Sequence, residues 1–346
     1  MPILRPLPKE EPNIFNYATS ELSQDAIICY ILEWAKIENK VLNKNLHILA
    51  IAFLDSLFNQ FKIKPIIYKE IIIKRQYGDK KNKIDILCIV NNEFVLLIED
   101  KTNTKNHSDQ LKRYKDKVES DFKDKDKDKD KDMKVLPIYF KTGDQSNYDN
   151  VIKNEYKTYL REDFLKVLNL NNTNNDIVEN YKNYLQNIDN AINSYKILEI
   201  NHWRYNSWKG FFIALKEKLG EGNWGYVSNA RGGFLGFWWN LHSNDDYNIY
   251  LQIDHNMQKI TVKLSSKTDT LIEKSILNQW KKHIPFKEEE ISFIKPKVVR
   301  SGKTMTIGIL ENEFRITDDK NIIDIDKTIT FIKEIEKIKL EKFSKI

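Results

Sequence analysis

KIDILCIVNNEFVLLIEDKTNTKNHSDQLKRY, residues 83–114, is the stretch on which the reading of this chain turns. Residues 84–90 and 94–98 are rich in β-branched and large apolar side chains. Apart from Asp85, neither run alternates with polar residues, so both faces are apolar, as in the central strands of a covered sheet. Asn91-Asn92 between them is a turn signal, which makes the pair a hairpin. Charges then interrupt the apolar text at one end: Asp85 in the first strand, Glu99-Asp100-Lys101 closing the second. Ionised groups at the ends of buried strands are costly unless something compensates them. Carboxylates converging there with a lysine point to a bound metal ion.

Strand geometry sharpens the expectation. Side chains at i and i+2 share a face, so Glu99 and Lys101 point one way and Asp100 the other. Asp85 joins Glu99 only if the two lie opposite each other. The two-residue turn that Asn91-Asn92 suggests pairs Val90 with Glu93, sets Asp85 opposite Ile98 and puts it on the wrong face. A three-residue loop that includes Glu93, or one bulge, restores the parity.

These residues resemble the PD-(D/E)XK nuclease superfamily. Its signature is an Asp on one core strand and (D/E)-x-K on the next, often followed by a helix carrying Q-x-x-x-Y. Here those are Asp85, Glu99-Asp100-Lys101 and Gln110-Leu111-Lys112-Arg113-Tyr114. Ile84 stands where the family has proline. The likeness is closest to a bacterial branch with IExK and QLxxY motifs and covers about the first half of the chain. It implies a restriction-endonuclease-like αβββαβ core with a mixed central sheet, and a catalytic set of Asp85, Glu99, Lys101, Gln110 and Tyr114. It further implies metal ligation by Asp85, Glu99 and the Asp100 carbonyl, and a restriction-like or phage-defence role. Glu21, in an E-L-S context on the first helix, has two readings: a glutamate favoured by the helix macrodipole, or a further carboxylate reaching the metal.

The rest of the chain sets bounds. Its 346 residues are enough for two domains, and 41% hydrophobic with 31% charged content is ordinary for a globular protein. A net charge of +6 permits a nucleic-acid partner without arguing for one. Cys29 and Cys88 sit in apolar periodic segments and read as buried free thiols. No run is long enough to span a bilayer and the N-terminus lacks an apolar signal core, so a cytoplasmic protein with no membrane partner is expected.

Prolines 2, 6, 8 and 12 mark an extended arm. Thr19 or Ser20 caps a first helix, and a second covers 46–61. A strand at 66–75 carries Glu70, a reserve carboxylate. A helix from His107 or Ser108 puts Gln110 and Tyr114 on one face. The Lys-Asp repeat at 123–132 reads as a solvated insertion without chemistry. A strand at 135–140, a short one at 156–159 and helices at 161–168 and 177–197 complete a first domain, 1–200.

A second, smaller α+β domain, 201–346, is expected to engage substrate or hold a homo-oligomer together. It has strands at 234–241, 247–254 and 259–264, a helix at 268–283, a hairpin turned at Ser301-Gly302 and a last helix at 326–342. All seven tryptophans but Trp34 lie there, interleaved with Arg204, Lys209, Arg231, Lys297, Arg300 and Lys303. They read either as core or as a stacking platform for unpaired bases.

Asp85 and Glu99 offer the hard oxygens that Mg²⁺ prefers, with Mn²⁺ able to substitute. The leading expectation is a Mg²⁺-dependent nuclease acting on phosphodiesters, DNA before RNA. The alternatives are a catalytically inactive nucleic-acid-binding module on the same fold, and an interaction protein whose charges at 85–101 are merely salt-bridged.

Overall fold

The computed structural model describes residues 12–79, 82–104, 106, 109–123, 132–229, 232–243, 246–268, 270–281, 286–288, 291–297 and 302–343. Pro2, Pro6, Pro8, His107, Ser108, most of the Lys-Asp repeat, Arg231, Arg300 and Ser301 lie outside them. The chain divides into two compact units, Met1–Asp189 and Asn190–Ile346.

In the first unit, Ser20 caps α1 (Glu21–Glu33) by accepting from the Ser23 amide, and Asn43 caps α2 (Lys44–Asn59) by accepting from the Leu46 amide. Then come β1 (Ile71–Gly78), β2 (Lys83–Val90), β3 (Phe94–Lys101), α3 (Gln110–Asp121), β4 (Lys134–Lys141), α4 (Asp149–Lys153), β5 (Lys157–Leu160), α5 (Arg161–Leu168) and α6 (Asp176–Asn193). The strands form one sheet in chain order. β1, β2 and β3 run antiparallel, while β3–β4 and β4–β5 are parallel. This mixed sheet, its first three strands preceded by helices and joined to β4 through α3, is the restriction-endonuclease-like core.

β3 explains why its sequence is apolar on both faces. Leu96 and Ile98 are buried with Ile28, Leu49 and Phe53 of α1 and α2. Val95 and Leu97 are buried with Leu111, Tyr114 and Val118 of α3. Helices cover both sides, so both sides must be hydrophobic.

The hairpin register is the decisive detail. Val90 pairs with Phe94 and Ile86 with Ile98, leaving a three-residue loop of Asn91, Asn92 and Glu93. Continued one residue outward, this register sets Asp85 opposite Glu99. Asn91 and Asn92 are both left-handed, at φ 54° and 53°, a conformation asparagine tolerates better than most residues. The Asn91 side chain also accepts from the amides of Lys69 (2.8 Å) and Glu70 (3.2 Å) and donates to the Ile67 carbonyl at 2.7 Å. Those bonds satisfy the backbone before β1, so ladder pairing begins at Ile71 and not at residue 66.

The second unit contains α7 (Tyr205–Leu219), β6 (Asn223–Val227), β7 (Phe234–Ser243), β8 (Tyr247–Asp254), β9 (Lys259–Ser266), α8 (Lys274–Lys281), β10 (Phe286–Glu288), β11 (Ile291–Ile294), β12 (Thr304–Leu310) and α9 (Ile325–Phe343). Its antiparallel sheet has the order β10-β11-β12-β9-β8-β7-β6. One face packs against α7 and α9: Trp208, Phe211, Phe212, Ile332 and Ile335 are buried with Phe237, Leu251 and Val262. α7 and β6 are additions to the expected strand meander. Trp203, Trp208, Trp224 and Trp239 belong to this core, and Trp238 is only half-buried.

The Asn91 geometry makes a prediction. Asn91→Ala loses the side-chain bonds and strains the left-handed backbone, so it should lower unfolding free energy by about 1–3 kcal/mol. Asn91→Gly keeps the backbone and should cost less. Urea denaturation checks both; equal stability of wild type and the alanine variant contradicts this account of the loop.

Candidate active site

The two strands bring the charged residues of the 83–114 stretch together at one end of the sheet. Lys101 Nζ is the centre of the arrangement. It donates to Glu99 Oε1 at 2.5 Å and to the Asp100 carbonyl at 2.8 Å, and lies 3.7 Å from Asp85 Oδ2 and 3.8 Å from Glu21 Oε2. Four oxygens from three elements thus face one ammonium. The Asp100 amide donates to Asp85 Oδ2 at 2.9 Å, tying β2 to β3 where the ladder pairing ends. Gln110 Nε2 donates to Glu99 Oε1 at 2.8 Å and lies 3.2 Å from the Tyr114 hydroxyl, so the Q-x-x-x-Y face of α3 is turned onto the same carboxylate.

Asp100 behaves as the parity argument requires. Its side chain leaves by the other face, where Gln24 Nε2 donates to Oδ1 at 2.5 Å. Only its backbone faces the ammonium. Glu70, the reserve carboxylate, instead accepts from Asn92 at 2.7 Å beside the hairpin loop and takes no part.

The structure adds residues that the sequence did not single out. Gln24 Oε1 accepts from Thr142 Oγ1 (2.5 Å) and the Tyr181 hydroxyl (2.8 Å), fixing the amide that holds Asp100. Gln76 sits left-handed inside β1 at φ 54° and spans two acids, donating to Asp25 Oδ2 at 3.1 Å and Asp85 Oδ1 at 3.4 Å. Such a backbone costs about 1–2 kcal/mol for a non-glycine residue, and here it accompanies an amide aimed at Asp85. Lys141, paired with Lys101 across the parallel β3–β4 ladder, donates to the carbonyls of Thr102 (2.8 Å) and Thr104 (2.7 Å). Glu21 in turn accepts from the Thr102 amide at 3.3 Å and from the Thr104 hydroxyl. Gly143 lets the chain after β4 press against this segment: a Cβ there would sit 2.2 Å from the Thr102 carbonyl oxygen. Gln24 and Asp25 carried a signal, since both follow Glu21 at helical spacing onto an inward face. Gln76 and Lys141 carried none that a single sequence exposes.

Electrostatics show what the arrangement costs. Glu99 is fully buried; burial first, then the Asp85 carboxylate, push it up to about 8 against the attraction of Lys101. Burial also dominates the upward shift of Asp85, with Lys101 and the Asp100 amide opposing. For Lys101 burial works downward, yet Glu99, Asp85 and Glu21 outweigh it and hold the ammonium above its ordinary value. Lys141 has weaker carboxylate support, and burial lowers it to about 8. Three acids crowd one firmly held ammonium, and without a further cation the buried Glu99 holds its proton up to about pH 8.

The donor chemistry fits a divalent cation. Asp85, Glu99 and the Asp100 carbonyl are hard oxygen donors. Among the described residues no donor reaches the buried Glu99 Oε2, and it can bond the Asp85 carboxylate only by carrying a proton, so the site is expensive unless a cation or proton is supplied. The Lys101 ammonium stands at the focus of these oxygens. Among the described residues no group of three or more His, Cys, Asp or Glu side chains converges as a ready-made cage.

Residues 12–219 match the model of the PD-(D/E)XK nuclease superfamily. The match spans more than half of the chain, and the chain belongs to that superfamily. Neither a curated protein nor a solved structure matches it. Nuclease chemistry, hydrolysis of a nucleic-acid substrate, is the class of activity that the family suggests. Among the described residues no helix is long and apolar enough to cross a membrane.

The Glu99 shift yields a prediction on metal-free protein. Folded, Glu99 keeps its proton up to about pH 8; unfolded, it loses it near the ordinary glutamate value of 4.5. Between those values the folded state binds more protons, so stability falls as pH rises. Glu99→Gln should remove that fall and stabilise the protein at pH 8 by on the order of 1–3 kcal/mol. Denaturation curves at pH 5 and pH 8 test it; an equal pH dependence in both proteins contradicts the assignment.

Proposed function

We propose that the chain is a divalent-metal-dependent nuclease that hydrolyses phosphodiester bonds in DNA. In this reading Asp85, Glu99 and the Asp100 carbonyl hold Mg²⁺, which Mn²⁺ can replace, and Glu21 lends a further carboxylate. The observation that carries it is the ring of oxygens around Lys101 Nζ, beside a buried Glu99 oxygen that no donor reaches among the described residues. A bound divalent ion supplies Lewis acidity to the phosphate and a water of lowered pKa.

The chain's own groups do the rest. Lys101 retains its proton, so it serves as a donor that orients the attacking water and meets charge growing on the phosphate oxygens. Gln110 holds Glu99 Oε1, directing the carboxylate's other oxygen away from the helix, and Tyr114 steadies the Gln110 amide. A buried site with fixed donors needs little rearrangement during reaction. A restriction-like setting with foreign DNA as target belongs to the same reading. An inactive nucleic-acid-binding module is disfavoured because both acids and the lysine are present and converge.

Cleavage of supercoiled plasmid and of single-stranded oligonucleotides, with Mg²⁺, Mn²⁺ or EDTA, tests the proposal. Metal-dependent cleavage is expected in wild type. Asp85→Asn, Glu99→Gln and Lys101→Ala should each reduce it by about 100-fold or more while leaving circular dichroism unchanged. Undiminished activity in all three variants would refute the assignment.

A further inference from the structure

The antiparallel sheet of the second unit has one face on α7 and α9. Its other face forms a cleft of about 660 Å³, within the range of small-ligand sites. Strand register lays out what this face presents. Asn223 pairs with Trp238 and Trp238 with Gln252, a row across β6, β7 and β8. Tyr250, two residues from Gln252 on the same face of β8, pairs with Lys263 of β9. All five line the cleft. The alternate residues Phe237, Leu251, Ile253 and Val262 go to the core, so the pattern is aromatic and cation outward over an apolar underside, with the Gln252 side chain buried at the cleft floor, 6% exposed.

Each outward group has a recognisable use. Trp238 and Tyr250 are diagonal neighbours on adjacent strands, about 7–8 Å apart at the backbone, and are both only half-buried. Open sheet faces that carry aromatic rings are how several folds stack unpaired bases. Amides on both sides of the indole pair a donor with an acceptor in one plane, which suits the edge of a base. Lys263 is half-buried, donates to Thr306 Oγ1 at 2.7 Å, and pairs with no carboxylate among the described residues. Burial lowers its pKa against the weak pull of Asp254, so an anion beside it would be repaid strongly. Among the described lining residues the one carboxylate side chain, Glu221, accepts from the Asn240 amide at 3.3 Å at the β6 end, three strands from Lys263. The cleft is therefore polarised, with its cationic side chain at β9 and its carboxylate at the β6 end.

We propose that this cleft binds one unpaired nucleotide of a nucleic-acid strand, its base stacked on Trp238, its edge met by Asn223 and Gln252, and its phosphate held by Lys263. The choice of a nucleotide over other flat polar ligands rests on the nuclease reading of the first unit.

The test is binding of a fluorescently labelled 12-nucleotide single-stranded DNA to the full-length chain in EDTA, followed by anisotropy. Trp238→Ala should weaken binding by about 5- to 100-fold, the usual worth of one stacked base, and Trp238→Phe should restore most of it. Lys263→Gln should weaken binding and flatten its salt dependence. None of these side chains belongs to the buried core, and near-ultraviolet circular dichroism confirms folding. In metal-supported cleavage the same variants should raise KM and leave kcat unchanged. Equal affinity across wild type and variants overturns the proposal, as does a cleft that is saturated by a neutral oligosaccharide and ignores the oligonucleotide. Trp238-dependent binding by a wild-type chain that never cleaves would refute the nuclease reading and keep the cleft. Cleavage with binding indifferent to Trp238 and Lys263 would do the reverse.

Discussion

One ammonium surrounded by oxygens is the constraint on which the first unit depends. Lys101 is held at the end of β3 by Glu99 at 2.5 Å and the Asp100 carbonyl at 2.8 Å, with Asp85 and Glu21 just beyond hydrogen-bonding distance. Removing such charges from water costs several kcal/mol per ion before any partner repays it. The repayment is incomplete, because Glu99 is pushed up to about 8 and no donor reaches one of its oxygens among the described residues. A fold selected for stability alone would fill this space with leucine. The surrounding elements instead hold the polar set fixed: Gln110 from α3 on one side of the sheet, Gln24 from α1 on the other, and Gln76 across from β1.

Much of this was legible in the sequence, for a definite reason. Glu99, Asp100 and Lys101 are consecutive on a strand, so their alternation is fixed by covalent geometry. Asp85 was harder. β2 and β3 are apolar on both faces, so burial barely distinguishes one register from its neighbour, and Asn-Asn by itself suggests the shorter turn. What decides the matter is tertiary: Asn91 is bonded to the backbone of residues 67–70, which no local rule foresees. The loop of Asn91, Asn92 and Glu93 is the one of the two expected solutions that the fold adopts; no bulge in β2 or β3 is needed between the loop and Ile86–Ile98.

The parts that escaped a sequence reading divide by cause. Lys141 and Gln76 look like ordinary polar residues at strand ends until the sheet places one beside Lys101 and the other between Asp25 and Asp85. α7 is different, since Trp208, Phe211, Phe212 and Leu215 stand at helical spacing and form its buried stripe. There the signal existed, and of the two readings open for the aromatic residues, core or stacking platform, Trp203, Trp208, Trp224 and Trp239 take the first. Among the described tryptophans of the second unit Trp238 is the exception, and it is set apart from Trp239 only by the alternation of β7.

In the proposed nuclease, Asp85 and Glu99 form, with the Asp100 carbonyl, a site for one divalent cation. Calorimetric titration of Mn²⁺ into the full-length protein, without nucleic acid, measures this apart from any activity. Saturable binding of about one ion per chain is predicted in wild type, with the saturable phase lost in Asp85→Asn and Glu99→Gln. Binding of equal affinity in all three proteins, or none in wild type at millimolar Mn²⁺, would contradict it.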